Sequence, residues 1–241
     1  MSLSPSTGVI GGTPTTTTGS PFRFSVTVSD SAGGTLAPAA FSLSVGPHVT
    51  LAAVKLSHQA VLGGNSTTDN RVMLTGPAPQ TGALVSLSSG NPAVATVPAS
   101  VAVHAGQTYS LVFNIATTAV ATQTPVTISA TYRGVTQTAT LTVDAAQLTS
   151  LTLSPAEVVG GGSTTNNTVR LNGAAPARGA VVTLTSGNPA VASVPPTVTV
   201  PAGASSVTFT TTTTAVTSKT VVPITATYSG VSKMANLTVW P

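Results

Sequence analysis

Four acids, Asp30, Asp69, Asp144 and Glu157, and three histidines, His48, His58 and His104, carry almost all the titratable chemistry of this 241-residue chain. Glycoside hydrolysis needs two carboxylates set across one bond, yet consecutive acids here stand 39, 75 and 13 residues apart and share no motif. They are expected to be isolated surface-turn residues. A zinc site wants three or four closely spaced ligands, and the chain has no cysteine to offer. Aligned with itself, the chain places Pro155 and Pro201 opposite His58 and His104, which suits exposed loops or strand ends better than ligands. Hydroxyls are abundant, but a nucleophile needs a positioned base, and no two polar residues form a recognisable catalytic pair. GGNSTTDN at 63–70 and GGGSTTNN at 160–167 are glycine-rich without the following lysine or helix of a phosphate cradle. Both read as long loops crossing between sheets. Asn65, Ser66, Thr67, Asp69 and Asn70 offer oxygens to sugar or calcium, but calcium prefers several carboxylates and the second stretch has none. No enzyme, cofactor or metal is expected.

Composition narrows the class further. Only 5% of residues are charged, against about a quarter in ordinary soluble domains. The net charge of +4 comes from eight bases over four acids, and the bases are scattered, so the clustered footprint of a nucleic-acid binder is absent. With so few carboxylates to protonate, stability is expected to depend weakly on pH. No stretch approaches the roughly 20 apolar residues of a membrane helix, and residues 1–12 lack the basic start and apolar run of a signal peptide. A hydroxyl-rich, charge-poor surface suits an extracellular or cell-surface location, with the export signal expected outside this chain. The runs Thr15–Thr18 and Thr210–Thr214 read as exposed strand face or loop. Trp240, Tyr109 and Phe113 are the candidates for sugar stacking, though packing is the commoner fate of such rings. Three Asn-x-Ser/Thr acceptor patterns, at Asn65, Asn166 and Asn236, are expected by chance in so threonine-rich a sequence.

The elements that would position any site come from a repeat. SSGNPAVATVP, ending at Pro98, returns as TSGNPAVASVP, ending at Pro195, 97 positions later. Leu56–Val103 and Leu153–Val200 share 29 identities in 48, and after one deletion near Tyr109 the register becomes 96, pairing Tyr132 with Tyr228. Within the first copy, alternation predicts strands near 53–61, 70–75, 82–89, 93–97, 100–104, 108–115, 125–132 and 135–143. Ala83, Val85 and Leu87 fall on one face, as do Val126, Ile128, Ala130 and Tyr132, which is the period of a half-buried strand. Arg133-Gly134 and Ser229-Gly230 are expected to be tight hairpin turns. Many short strands with no helical period predict an all-β fold of tandem antiparallel sandwiches.

These copies resemble the bacterial immunoglobulin-like repeats of surface and secreted proteins. The resemblance rests on SxNPAVAxVP, the following Val101, Val103, Ala105 and Gly106 with their counterparts Val198, Val200, Ala202 and Gly203, and the closing TATYxGV and LTV. It covers residues 48–241 and implies two Ig-like domains, 48–146 and 147–241. The opening stretch resembles the Ig-like, cadherin-like domains strung along large bacterial surface proteins. It does so through Leu3, Ser4, Thr7, Gly8, Val9, Ile10, Gly12, Thr13 and Pro14, then Phe24, Val26, Val28, Asp30 and Gly33. Only the C-terminal half of such a domain is expected over residues 1–47. Phe22, Phe24, Val26 and Val28 would form one strand, with Phe41, Leu43 and Val45 as its hairpin partner.

A lone hairpin cannot bury both faces and is marginal in water. These seven residues are therefore the candidate assembly interface. The expected function is that of a non-enzymatic extracellular structural protein. It would be a cell-surface adhesin stalk, or a subunit of a pilus-like, self-assembling filament joined by strand complementation. Its partners would be other copies of itself or neighbouring domains of a larger surface protein. The alternative is a carbohydrate- or receptor-binding module of a secreted enzyme or phage structural protein, with glycans as partners.

Overall fold

The computed structural model describes residues 2–4, 7–12, 20–46 and 48–241, with Ser2 and Leu3 as backbone only. The Thr15–Thr18 run and Thr13 and Pro14 of the opening motif lie outside the described residues. Every element among the described residues is a strand, so no helix there is long and apolar enough to cross a membrane. The chain divides into two compact units, Met1–Val49 and Thr50–Pro241.

The first unit holds two small antiparallel pairs. Strands β1 (Ser2–Leu3) and β2 (Ile10–Gly11) form one, and β3 (Phe22–Val26) and β4 (Ala39–Leu43) the other. Between β3 and β4, Asp30 shapes a turn. Its Oδ1 accepts the amides of Ala32 at 2.9 Å and Gly34 at 2.8 Å, the side-chain-to-backbone bonding for which aspartate is favoured in turns.

The second unit contains both repeats. In repeat 1 the strands are β5 (Leu51–Lys55), β6 (Ala60–Leu62), β7 (Ser66–Leu74), β8 (Ala83–Ser89) and β9 (Ala95–Thr96). They continue as β10 (Ser100–Val103), β11 (Phe113–Thr117), β12 (Thr124–Tyr132) and β13 (Val135–Asp144). One sheet runs β5-β7-β11-β9 and the other β10-β8-β12-β13-β6, with β6 parallel to β13. The first sheet and the central β8-β12-β13 trio form the two layers of an Ig-like sandwich. Repeat 2 reproduces both sheets. Its first five strands are β14 (Leu148–Thr152), β15 (Glu157–Val159), β16 (Ser163–Leu171), β17 (Ala180–Ser186) and β18 (Ala192–Ser193). The rest are β19 (Thr197–Val200), β20 (Ser206–Thr213), β21 (Thr220–Tyr228) and β22 (Val231–Trp240).

Each core is aliphatic, as a sequence with 4% aromatic residues requires. Val85, Val126, Ile128 and Leu141 are buried in repeat 1, and Val182, Val222, Ile224 and Leu237 in repeat 2. Leu84, on the opposite face of β8, is exposed, which confirms the alternation. At the predicted hairpins, Arg133 and Gly134 have φ of 50° and 79°, and Ser229 and Gly230 have 46° and 80°. Two successive positive φ values make the type I′ turn, whose twist matches that of the flanking strands.

Three sequence expectations are corrected. The segment 53–61 is two strands in different sheets, because the chain kinks at Ser57. The stretch GGNSTTDN is not a crossing loop: from Ser66 onward it is strand, bulged at Asp69, which takes φ 62°. Segment 108–115 becomes strand only at Phe113.

The kink and the bulge meet at one side chain. Asn70 is fully buried. Its amide nitrogen donates to the carbonyls of Thr67 and Phe113 at 3.2 and 3.0 Å and to Thr67 Oγ1 at 3.0 Å. Its Oδ1 accepts the Ser57 amide at 3.1 Å, where the chain leaves one sheet for the other. Asn167 repeats the tie, donating to Thr164 and to Thr211 Oγ1 at 3.0 Å and accepting the Ser154 amide at 3.1 Å. A buried amide with its partners satisfied holds structure, whereas its removal strands those partners without water. Asn70→Ala and Asn167→Ala are each expected to cost about 2–3 kcal/mol. The loss should appear as a lower urea midpoint, while Asn114→Ala, at an exposed position of β11, should leave the midpoint nearly unchanged.

Candidate assembly surface

The hairpin of the first unit brings most of the predicted interface residues onto one face. Phe22 lies opposite Leu43, Phe24 opposite Phe41 and Val26 opposite Ala39, and directly opposed residues share a face. The Phe24 and Phe41 rings stack, 5.8 Å between centroids and 20° between planes. Arg23, Ser25, Ala40 and Ser42 occupy the other face, so the hairpin is amphipathic by its period of two. Val28 and Val45 lie beyond the strand ends, unlike the expected longer strands. Val45 is tied back through its amide to Ser20 Oγ at 2.8 Å.

Burial of this face is incomplete. Phe22, Phe24, Val26, Leu43 and Val45 are half-buried, whereas Phe41 is 51% and Val28 58% exposed. The β1–β2 segment shares one groove with it, lined by Ser4, Gly8, Ile10, Phe24, Val26 and Phe41. Ile10 and Val9 there are themselves exposed.

The other candidates fall away from one another. His48, His58 and His104 are all exposed. Each acid has a local duty: beyond the turn at Asp30, Asp69 accepts Thr68 Oγ1 at 3.1 Å, Asp144 accepts Gln123 Nε2 at 2.7 Å, and Glu157 accepts the Trp240 indole N–H at 3.2 Å. No three His, Asp or Glu side chains among the described residues gather as metal ligands. Asn70, proposed from sequence as an oxygen ligand, is buried in its own hydrogen bonds, and Phe113 packs in the core.

Sequence reasoning missed an apolar cluster at the insertion. Repeat 1 carries one extra residue before Phe113, and the strand that starts at Ser206 in repeat 2 starts only at Phe113 in repeat 1, with Phe113 and Phe209 buried alike. Tyr109, Leu111 and Val112 turn outward, while Ser110 turns in, its Oγ accepting the Val72 amide at 3.0 Å. In repeat 2, Val207 pairs with Val169 and packs against the core. Val207→Ser is therefore expected to destabilise by about 1–2 kcal/mol and Leu111→Ser by no more than about 0.5 kcal/mol, read from thermal unfolding of each variant.

No curated protein matches the chain. Among solved structures, it is similar to domains 4 and 5 of the S-layer protein SbsC, with 18% identity, 81% of this chain and 98% of that one covered, and a TM-score of 0.34. It is also similar to the titin I-band fragment I67-I69, with 10% identity, coverage of 90% and 73%, and a TM-score of 0.40. The biofilm-associated protein BSP domain matches at 15% identity over 79% of this chain and 30% of its own, with a TM-score of 0.24. Superpositions this loose say nothing about role. Residues 1–46 match the family model described as "Putative Ig domain" (He_PIG), and the described residues are all-β, with tandem Ig-like sandwiches over the two repeats.

Proposed function

We propose that this chain is a non-catalytic structural segment of an extracellular or cell-surface assembly, a stalk or filament subunit joined through its N-terminal hairpin. One observation carries the reading. The amphipathic β3–β4 pair presents Phe24, Phe41 and their neighbours on a face that the first unit only half covers. Two strands are too few to close a core, and among the described residues their outer edges pair with no further strand, leaving amides and carbonyls that template one. Supplied by another molecule, such a strand would cover the face and pair the edge together. Contacts of this head-to-tail kind propagate instead of closing. The chain's scarcity of charge removes the usual guard against edge pairing.

Analytical sedimentation of the purified chain across a range of concentrations tests this. Oligomers that grow with concentration are expected, and the double variant Phe24→Ser, Phe41→Ser should return the chain to monomer while leaving the unfolding of the second unit unchanged. A strictly monomeric wild-type chain at every concentration would defeat the proposal.

A further inference from the structure

The joint between the two repeats is made by a knob on a glycine. At the far end of repeat 1, Leu62 lies so close over Gly173 of repeat 2 that a Cβ there would stand 2.5 Å from Leu62 Cδ2. Gly64, at φ +90°, has the Ala174 side chain 3.6 Å from where its own Cβ would be. Both contacts come from the short β6 arm, held in place by parallel pairing with β13, where Leu62 faces Asp144.

Repeat 2 builds the same arm at its own far end. Strand β15 pairs in parallel with β22, Val159 faces Trp240, and Gly160 and Gly161 follow as Gly63 and Gly64 do. The local backbone agrees closely: a Cβ on Gly63 would meet the Thr118 carbonyl at 2.7 Å, and one on Gly160 the Thr214 carbonyl at 2.7 Å. What differs is the cover. Leu62 is half-buried, but Val159 is 63% exposed, and nothing lies within 4 Å of a Cβ on Gly161.

The residues beside the arm have also changed. Repeat 1 sets Asp144 against Gln123, whereas repeat 2 sets Trp240 against Lys219, whose ammonium lies 4.5 Å from the ring centroid. With its N–H held by Glu157, the indole is fixed in place while 39% exposed. Val221, one rung back on β21, is exposed as well. A fixed tryptophan among aliphatic neighbours has the make-up of an interface anchor.

We propose that this end of repeat 2, centred on Val159, Gly161 and Trp240, is a docking surface for a further repeat of the same kind, seated by its Gly-Ala turn as repeat 2 is seated on Leu62. The partner is a tethered one. A knob-and-glycine contact is far below the area that holds two free proteins together, but a short linker raises the effective concentration enough for it to form. This inference does not rest on the N-terminal hairpin and stands or falls apart from it.

Trp240 is the only tryptophan, so it reports on the surface directly. The full chain is extended after Pro241 by an in-register copy of residues 146–241, with Trp240→Phe in that copy. Acrylamide quenching of the remaining indole should fall severalfold and its emission shift to the blue. Gly173→Leu in the appended copy should restore the quenching of the unextended chain. A second extension, a copy of residues 49–144, has no tryptophan and offers Gly76 in place of Gly173, and it should protect the indole in the same way. Unchanged quenching in both extended chains, with the strand signal in circular dichroism raised by the added repeat, would overturn the proposal.

Discussion

In each repeat one buried asparagine pins the kink at which the chain leaves one sheet for the other, and the placing of the short parallel strand follows from it. Asn70 and Asn167 join the kink after the first strand, the bulge in the third and the strand paired beside it in the same sheet. The kink is what lets the chain serve both sheets: β5 enters one, and β6 leaves to pair in parallel with β13 in the other. An aliphatic core of valine, leucine and isoleucine supplies burial but little direction, since such side chains pack in many arrangements. A satisfied buried amide has one geometry, and its partners would lose their hydrogen bonds in any other. The β6 arm that carries Leu62 to Gly173 hangs from this tie, so the joint between repeats depends on it too.

The same rule, that an apolar face must be covered, separates the parts of the chain. Each repeat covers its inner faces with its own second sheet. Among the described residues of the first unit, the N-terminal hairpin has an equally clear apolar face and a small β1–β2 segment beside it. With charge nearly absent, neither electrostatic repulsion nor paired ions decide what may approach these surfaces. Shape, hydroxyl groups and open strand edges are left to do so, which is why a structural role is the one the residues support.

The sandwich was legible in the sequence because the repeat and the period of two survive wherever a strand runs straight. Val126, Ile128, Ala130 and Tyr132 read correctly, and so did the turns at Arg133-Gly134 and Ser229-Gly230. Legibility failed where a backbone irregularity changes the parity. The bulge at Asp69 shifts the alternation within β7, so a polar run, Ser66 to Asn70, looks like loop although it is strand with Asn70 turned inward. The kink at Ser57 carries no glycine or proline to announce it. The extra residue before Phe113 breaks the strand that in the second copy runs from Ser206 to Thr213. One clue was the pairing of asparagines across the repeats: a polar residue kept at both Asn70 and Asn167, while the residues on either side change from Asp69 to Asn166 and from Arg71 to Thr168, is what an interior amide would leave behind.

The central claim, that β3 and β4 are completed by a strand from outside the first unit, is tested most directly by amide hydrogen exchange followed residue by residue. The outward-facing amides of Phe22–Val26 and Ala39–Leu43 have no partner within the hairpin, and an added strand would protect them. The account predicts slow exchange at these amides in concentrated, assembled protein and fast exchange in dilute protein, with the second unit unchanged between the two. Equally fast exchange at both concentrations would contradict it.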